Sequence, residues 1–371
     1  MLKIFYSSRR FFFILLLRDR FDVALTYNTK PESKTFLEEV PSFRSEYLSS
    51  GKKSDDLFAE WDSMETVYAL RDALAKHNNV HLIEADFDAF DKLRRLRPHI
   101  VFNVAEGFYK MSREAQIPAM LDMLNIPYTG SDPLTLSVCL DKVRTKEVLH
   151  YHGIPTAPFR VFDDYSSVDD SGLHYPLFVK PVSEGSSKGI YESSLVKNSA
   201  ELKREVERIN VNYLQPAIAE EYLDGREFTV AILGNDEKIN ILPVVELNFD
   251  GFPAGALPVY AYEAKWIYDT RENPLDVFDC PAKLDAALEN KIKETCKKTF
   301  KVLNCKDWSR IDLRCDKNGV PNVIEINPLP GILPNPADNS CFPKAARSAG
   351  LSYDEMINKV LEIALERHGL I

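Results

Sequence analysis

Near the N-terminus, short apolar runs alternate with helical patterns, and this alternation limits the fold more than any other feature. Apolar runs at 22–27, 80–84 and 99–104 are separated by helical patterns near 60–77 and 87–97. Strands that alternate with helices pair in parallel, because each helix crosses the sheet before the next strand begins. The sequence therefore predicts an α/β fold with a parallel sheet. No GxGxxG follows the first run, so a dinucleotide fingerprint is absent.

The remainder of the chain continues with mixed elements. Helical patterns cover 113–124 and 133–152, and strand signals dominate from 158 to 247, interrupted by one helix near 199–209. Asn198 followed by Glu201 predicts the start of that helix through a capping arrangement.

Three further elements complete this outline. The Gly-, Pro- and aromatic-rich stretch at 248–274 predicts a long loop, which in a compact domain is often a lid. A helix is predicted near 281–303, and Ser352 with Glu355 predicts the start of a terminal helix.

Composition narrows the class of protein. The chain has 371 residues, of which 45% are hydrophobic and 27% charged, enough for two or three domains. Its net charge of -10 argues against nucleic acid or an anionic membrane as the main partner. Six cysteines without CxxC spacing indicate reduced intracellular thiols and no zinc site. Residues 1–21 are interpreted as an extension, since the apolar run at 11–17 is too short to span a membrane.

A β-hairpin is predicted at 310–331, RIDLRCDKNGVPNVIEINPLPG, with its turn at 316–319. Side chains alternate faces along a strand, so one face is predicted to be apolar, with Ile311, Leu313, Ile324 and Ile326. The opposite face carries Arg310, Asp312, Glu325 and Asn327. These four residues fit either a solvated surface or a grip on a hard cation and the anion that it neutralises.

Two other stretches carry candidate binding residues. In YPLFVKPVSEGSSKGI, Lys180 precedes a loop of small residues, which fits a phosphate site but also an ordinary flexible hairpin. It lacks the P-loop pattern. Further on, Glu220, Glu221 and Glu227 flank an apolar strand, where carboxylates either accept hydrogen bonds from ribose hydroxyls or lie exposed at strand ends.

Taken in order, six segments resemble the D-alanine–D-alanine ligase family of the ATP-grasp fold. They are IPYTGSDPLTLSVCLDKVRTK, FVKPVSEGSSKGI, EEYLDGREFTVAILGN, YEAKW, DWSRIDLRCDKNG and VIEINPLPGILP. The match runs from about residue 99 to residue 369. The resemblance implies two α+β lobes that clamp ATP, behind an N-terminal parallel-sheet (pre-ATP-grasp) domain. The predicted divisions are 1–21, 22–131, 132–223 and 224–371.

The resemblance also implies roles for single residues. The residues that match ATP contacts are Lys142, Lys180, Ser187, Glu220, Glu221, Tyr222, Leu223, Glu227 and the lid residue Lys265. Those that match magnesium ligands, which also suit Mn²⁺, are Asp312, Glu325 and Asn327. Arg310 and the backbone N–H of Gly331 match the donors that stabilise a tetrahedral oxyanion. Ser186 and Ser340 match hydroxyls that orient the substrates.

The implied reaction joins a carboxylate to an amine. A donor amino acid is first activated as an acyl phosphate by ATP, and the amine of the acceptor then attacks its carbonyl carbon. D-alanyl-D-alanine is the commonest product in this family, and other amino or hydroxy acids are an alternative. A non-catalytic ATP-binding regulatory protein is a second alternative. The expected partners are small amino acids, with neither nucleic acid nor membrane, and the expected location is the cytoplasm. Because members of the family are commonly dimeric, a homodimer is also expected.

Two departures from the family pattern fall on the substrate side. The family's glycine-rich turn, with a serine and a glutamate that holds the donor's ammonium group, is replaced at 25–34 by LTYNTKPESK. We hypothesise that Glu106, where the family usually has histidine, replaces that acid. A helix-capping or solvent-facing role for Glu106 is the alternative. Trp266 follows the lid lysine where the family has Tyr or Phe, and it either reshapes the substrate pocket or only packs the lid.

Overall fold

A computed structural model describes residues 20–29, 60–108, 110–250, 252, 257–259, 275 and 277–371. Most of the predicted N-terminal extension and most of the predicted lid loop lie outside these residues, as do Lys265 and Trp266. No helix within the described ranges is long and apolar enough to cross a membrane.

The first sheet is parallel, as the alternation of apolar and helical patterns predicts. Its strands are β1 Asp22–Tyr27, β2 Asn79–Glu84 and β3 Ile100–Asn103, in the order β2-β1-β3. The connecting helices are α1 Met64–Ala75 and α2 Ala89–Leu96. α1 begins at Ser63, whose side chain accepts a hydrogen bond from the backbone N–H of Thr66. The segment after β3 carries Glu106 and leads into α3 Gln116–Leu124.

The helical pattern predicted at 133–152 is two helices, α4 Pro133–Leu140 and α5 Lys142–Tyr151. The break is Asp141, which has an extended backbone, and its side chain accepts hydrogen bonds from the N–H groups of Val143 and Arg144. The new helix start places Lys142 in its first turn. That position directs this lysine toward the hairpin at 310–331.

The second sheet is antiparallel, with strand order β4-β7-β5-β6. The strands are β4 Phe159–Phe162, β5 Leu177–Pro181, β6 Leu195–Val196 and β7 Ala217–Glu221. α6 Ser199–Tyr213 packs against this sheet and begins at the predicted cap, where Asn198 accepts from the N–H of Glu201. The sheet brings Lys180 on β5 next to the strand that carries Glu220.

The third sheet is antiparallel, with order β11-β10-β8-β12-β13 and β9 paired with β8. Its strands are β8 Glu227–Leu233, β9 Asn240–Ile241, β10 Val245–Leu247, β11 Phe278–Asp279, β12 Trp308–Cys315 and β13 Pro321–Asn327. Three helices accompany it: α7 Ala286–Val302, α8 Cys341–Ser348 and α9 Tyr353–Arg367. α7 begins later than predicted because Asp285 caps it, and α9 begins at the predicted Ser352–Glu355 capping box.

Strands β12 and β13 form the predicted hairpin with one correction to its apolar face. A bulge after Asp312 shifts the register, so that Leu313 pairs with Val323 instead of Ile324. Val323 is therefore buried in the core, and Ile324 is displaced toward the cleft described below. In the register of the two strands, Arg310 lies opposite Asn327 and Asp312 lies opposite Glu325.

One hydrophobic cluster joins the two ends of the chain. Leu25 and Phe102 from the parallel sheet pack with Trp308, Phe342 and Val360 from the C-terminal elements. Asp307, which is fully buried, adds a polar link. Its carboxylate accepts hydrogen bonds from Arg367 and from the backbone N–H of Gly130, both at 2.8 Å. All six cysteines are free thiols.

Candidate active site

A cleft of ≈ 440 Å³ lies among the three sheets. Within the described part of the chain, it is lined by every residue to which the sequence assigned a site role. These are Glu106, Lys142, Lys180, Ser186, Ser187, Glu220, Glu221, Tyr222, Leu223, Glu227, Arg310, Asp312, Glu325, Asn327, Gly331 and Ser340. They are separated by more than 200 residues in the sequence, and the fold alone brings them together.

The polar face of the hairpin lines this cleft. Arg310 grips Asp312 with two hydrogen bonds, from Nε to Oδ1 at 3.0 Å and from Nη2 to Oδ2 at 2.8 Å. Thr229, directly opposite Asp312 on β8, donates a third hydrogen bond to Oδ1 at 2.6 Å. These contacts fix the orientation of the Asp312 carboxylate, whose side chain stays partly open to the cleft.

The three candidate metal ligands provide hard oxygen donors. Asp312 and Glu325 are direct cross-strand partners, and the Asn327 side-chain oxygen, two residues along, accepts from the backbone N–H of Leu329 at 3.0 Å. Burial raises the pKa of Glu325, but the charges of Lys142, Arg310 and Lys180 outweigh it and lower that pKa overall. The carboxylate is thus ionised at neutral pH, as a ligand must be. Among the described residues, no group of three or more His, Cys, Asp or Glu side chains has an arrangement that could hold a metal ion. The candidate donors here are two carboxylates and one amide.

Buried lysines converge on the same cleft. The Lys142 ammonium lies 3.5 Å from Glu325 Oε2, and the Lys180 ammonium lies 2.8 Å from Glu220 Oε2. Lys146, one helical turn beyond Lys142, contacts the other oxygen of Glu220 at 2.7 Å. Burial raises the pKa of Glu220, yet the two lysines hold it at about 2. A cluster of ammonium groups in a partly closed cleft suits a polyanionic ligand.

The other end of the same cleft carries Glu227. Its carboxylate contacts Arg314 at 2.9 Å, and Arg314 also donates to the hydroxyl of Tyr222 at 2.9 Å. Burial raises the pKa of Glu227 to about 7, with the nearby Asp312 charge acting in the same direction and Arg314 opposing it. Glu221 points to the rim, where it contacts His174 at 2.7 Å.

The loop of small residues after β5 has an unusual backbone. Ser186 and Ser187 both have positive φ, at 50° and 60°, in the left-handed region that non-glycine residues rarely adopt. Such conformations persist where the surroundings impose them, often at ligand sites. A Cβ at Gly185, just before them, would lie 2.3 Å from Oε1 of Glu60, so a side chain there would displace that carboxylate.

Glu60 belongs to a cluster of charges beside this loop. Its carboxylate contacts Arg113 at 2.7 Å and Lys188 at 2.8 Å. Lys188 also contacts Glu184 at 2.6 Å. Burial raises the pKa of Glu60, but the two cations lower it well below its usual range.

Two more carboxylates line the cleft next to this cluster. Burial raises the pKa of Glu106 well above its usual range, and the charges of Glu114 and Glu60 add to the rise. Burial likewise raises the pKa of Glu114 to about 7. Within the described ranges, neither carboxylate makes a hydrogen bond or ion pair. Glu106 caps no helix within the described ranges and is half-buried at the cleft, and its role as the partner of the donor's ammonium group stays a prediction.

The turn after β13 closes the remaining side. Ser340 donates a hydrogen bond from its hydroxyl to the Gly331 carbonyl at 3.2 Å and accepts one from the N–H of Leu333 at 3.2 Å. The segment between Gly331 and Ser340 is thereby fastened at its two ends. The next residue, Cys341, begins α8 and also lines the cleft.

Sequence reasoning missed several cleft residues. Arg314 was within reach, because it continues the alternation of Arg310 and Asp312 by one further step on the same strand. Lys188 and Glu184 stand four residues apart around the small-residue loop, which is a weaker signal. For Glu60 and Glu114 the sequence carries no local signal, since only the tertiary fold brings them to the cleft. The same holds for Arg113, which contacts Glu60.

Comparison with known proteins agrees with this architecture. A family model described as "D-ala D-ala ligase C-terminus" matches residues 148–362. The chain is 30% identical over 319 residues to D-alanine–D-alanine ligase of Pelotomaculum thermopropionicum, covering 83% of this chain and 93% of that protein. It is 37% identical over 296 residues to the uncharacterized protein y4sG of Sinorhizobium fredii, covering 77% and 83%.

Solved structures show the same fold. D-alanine–D-alanine ligase of Bacillus anthracis, solved in complex with ATP, aligns over 94% of this chain and 98% of its own, with a TM-score of 0.67 and 20% identity. VanG D-Ala:D-Ser ligase of Enterococcus faecalis aligns over 93% and 99%, with a TM-score of 0.65 and 21% identity. The fold is therefore ATP-grasp, behind a parallel sheet. With the family model and the sequence relatives in agreement, the chain belongs to the D-alanine–D-alanine ligase family.

Proposed function

We propose that this protein is an ATP-dependent carboxylate–amine ligase, similar to D-alanine–D-alanine ligase, that forms a dipeptide through an acyl phosphate. The observation that carries the proposal is the convergence of two groups of residues in one cleft. Arg310, Asp312, Glu325 and Asn327 lie on one hairpin face, and Lys142 and Lys180 reach the same cleft from the neighbouring lobe. A protein that only bound a nucleotide would not need the arginine.

ATP binding is supported by the arrangement of charge along the cleft. We assign Lys142 and Lys180 to the phosphates and Glu227 to the ribose hydroxyls, with Glu220 to Leu223 beside the adenine. Arg314 contacts Oε2 of Glu227, and this contact orients the carboxylate and its other oxygen, Oε1. Ser187 and the lid residue Lys265 complete the predicted phosphate contacts.

A divalent cation, Mg²⁺ or Mn²⁺, fits the donor set of Asp312, Glu325 and Asn327. When bound there, it supplies neutralisation of charge on the phosphoryl group that is transferred. Arg310 and Thr229 orient the Asp312 carboxylate through hydrogen bonds. The charge of Lys142 lowers the pKa of Glu325, so this carboxylate is ionised and able to act as a ligand.

The reaction divides into two steps. A carboxylate oxygen of the donor attacks the γ-phosphorus of ATP, the bond to the β–γ bridging oxygen breaks, and ADP leaves. The acceptor's amine nitrogen then attacks the acyl carbon, phosphate leaves, and the amine loses a proton. The guanidinium of Arg310 and the N–H of Gly331 stabilise the tetrahedral oxyanion, a contribution of ~3 kcal/mol for each donor. Ser186 and Ser340 orient the two substrates.

Several coarser expectations accompany this proposal. The domain limits at 131/132 and 223/224 fall between the three sheets. The six free thiols support a reducing, cytoplasmic location. A homodimer and the packing of Trp266 in the lid are carried from the family resemblance.

The proposal is tested by measuring phosphate release from ATP and Mg²⁺ in the presence of single amino acids, pairs of amino acids and hydroxy acids, in both D and L forms. Release that depends on an amino acid, with a dipeptide detected by mass spectrometry, is the expected result. Release with a hydroxy acid as acceptor would identify an ester-forming member of the family. ATP binding without release under any of these conditions would overturn the proposal in favour of a regulatory nucleotide-binding protein.

A further inference from the structure

The charges beside the Ser186 loop do not balance. Four carboxylates lie at this end of the cleft, those of Glu60, Glu106, Glu114 and Glu184, against the two cations Arg113 and Lys188. Among the described residues, these carboxylates outnumber the two cations that contact members of the group. An excess of this kind is costly in a cleft shielded from water, unless a ligand neutralises it.

The two cations are already engaged elsewhere. Arg113 donates to both oxygens of Glu60, at 2.7 and 2.9 Å, and to the carbonyl of Ser183 at 2.9 Å. Lys188 lies between Glu60 and Glu184, at 2.8 and 2.6 Å. Both cations therefore contact the other pair of acids, although the Nε of Arg113 is buried without a hydrogen bond. Among the described residues, Glu106 and Glu114 have no direct cationic partner.

Glu114 is a buried acid that lines the cleft without a partner among the described residues. Its residue is only 7% exposed, yet it lines the cleft, and within the described ranges its carboxylate has no hydrogen bond or ion pair. Buried carboxylates normally have such partners, so this one faces the space that a ligand would occupy. Glu106 lines the same space from the segment after β3.

We propose that Glu106 and Glu114 select a donor amino acid whose side chain ends in a second positively charged group. This inference rests on the proposed ligase function and specifies its substrate. An amino acid with a neutral side chain brings one ammonium group, which can neutralise only one of these two negative charges. A diamino acid brings two ammonium groups, so each carboxylate gains a partner.

The inference is tested with donors that differ only in charge. 2-Aminobutyrate and 2,3-diaminopropionate have side chains of equal length, as do norvaline and 2,4-diaminobutyrate, and norleucine and ornithine. Each is supplied in D and L form with ATP, Mg²⁺ and D-alanine as acceptor, and kcat/KM for phosphate release is compared within each pair. We expect the cationic member to be preferred at least about tenfold in at least one pair, and Glu114→Gln to abolish that preference.

Matched variants separate this role from a structural one. Glu207→Gln, an exposed glutamate on α6, is expected to leave both the preference and the overall rate unchanged. Glu114→Gln is expected to leave KM for ATP near its wild-type value, since the change then lies in donor recognition alone. A wild-type enzyme that prefers the neutral member of every pair would overturn the inference, as would a preference that survives in Glu114→Gln.

Calorimetric titration of the same donors into protein loaded with a non-hydrolysable ATP analogue separates the two proposals. If cationic donors bind more tightly than neutral donors but no phosphate is released, the ligase function is overturned and the charge-selective site is retained. Turnover of neutral donors, with no cationic preference in rate or binding, would retain the ligase and reject the selectivity.

Discussion

Glu114→Gln should make the protein more stable, by an amount that grows with pH. The pKa of Glu114 is raised from 4.5 to about 7, chiefly by burial. Between these values the unfolded chain has lost the proton while the folded chain retains it, so stability falls as the pH rises. Above pH 7 both states are ionised, and the folded state bears a cost of ~3 kcal/mol from a shift of about 2.5 units at 1.36 kcal/mol each. Glutamine has nearly the same shape but no charge to desolvate.

The measurement is urea-induced unfolding of wild type and variant between pH 5 and pH 8.5, followed by the fluorescence of Trp61 and Trp308. From the same shift, the advantage of the variant should be ~1 kcal/mol at pH 5 and ~3 kcal/mol at pH 8.5. Glu207→Gln, the exposed control, should show no such trend. An advantage that stays constant across this range, or a loss of stability at pH 8.5, would show that the Glu114 carboxylate is not buried without a partner.

Three further substitutions test other parts of the structure. Glu227→Gln weakens a charge-assisted contact to ribose worth ~1.5–3 kcal/mol, so KM for ATP should rise about 10- to 100-fold in a coupled ADP-release assay, with donor KM little changed. Asp312→Asn should lower kcat at least about 100-fold and shift the Mg²⁺ titration of phosphate release to higher concentrations, while the exposed Asp163→Asn should do neither. Asp307→Asn breaks the buried pair with Arg367 and should destabilise the fold by ~3–5 kcal/mol in thermal unfolding, without changing KM for ATP in the folded fraction. An unchanged melting temperature would contradict the role of Asp307 as a link between the two ends of the chain.

The parts of the fold that were predictable from sequence are those that local chemistry determines. The capping residues Asn198 and Ser352 mark the starts of their helices because their side chains satisfy backbone N–H groups within three residues. The polar face of the hairpin follows from the alternation of side chains along each strand. Most of the residues assigned to ATP and magnesium lie on strands and helix starts of this kind, and the segments that resemble the family include them.

The remaining features depend on contacts that are distant in sequence. The bulge after Asp312 exchanges Val323 for Ile324 in the core, and no pattern of period two can reveal where a strand gains a residue. Asp141 divides a continuous helical pattern because its side chain competes for the backbone. The charges around Glu60 come from four separate segments, so only the assembled fold shows which acids are paired.

The same imbalance of charge links stability to specificity. A site for a cationic donor must present negative charge before the donor arrives. In the ligand-free protein, burial of that charge raises the pKa of Glu106 and Glu114 and reduces stability at neutral pH. A donor with a second ammonium group removes this penalty when it binds, and a neutral donor does not. Two carboxylates at one cleft without a direct partner among the described residues are best explained by a ligand that completes the pairing.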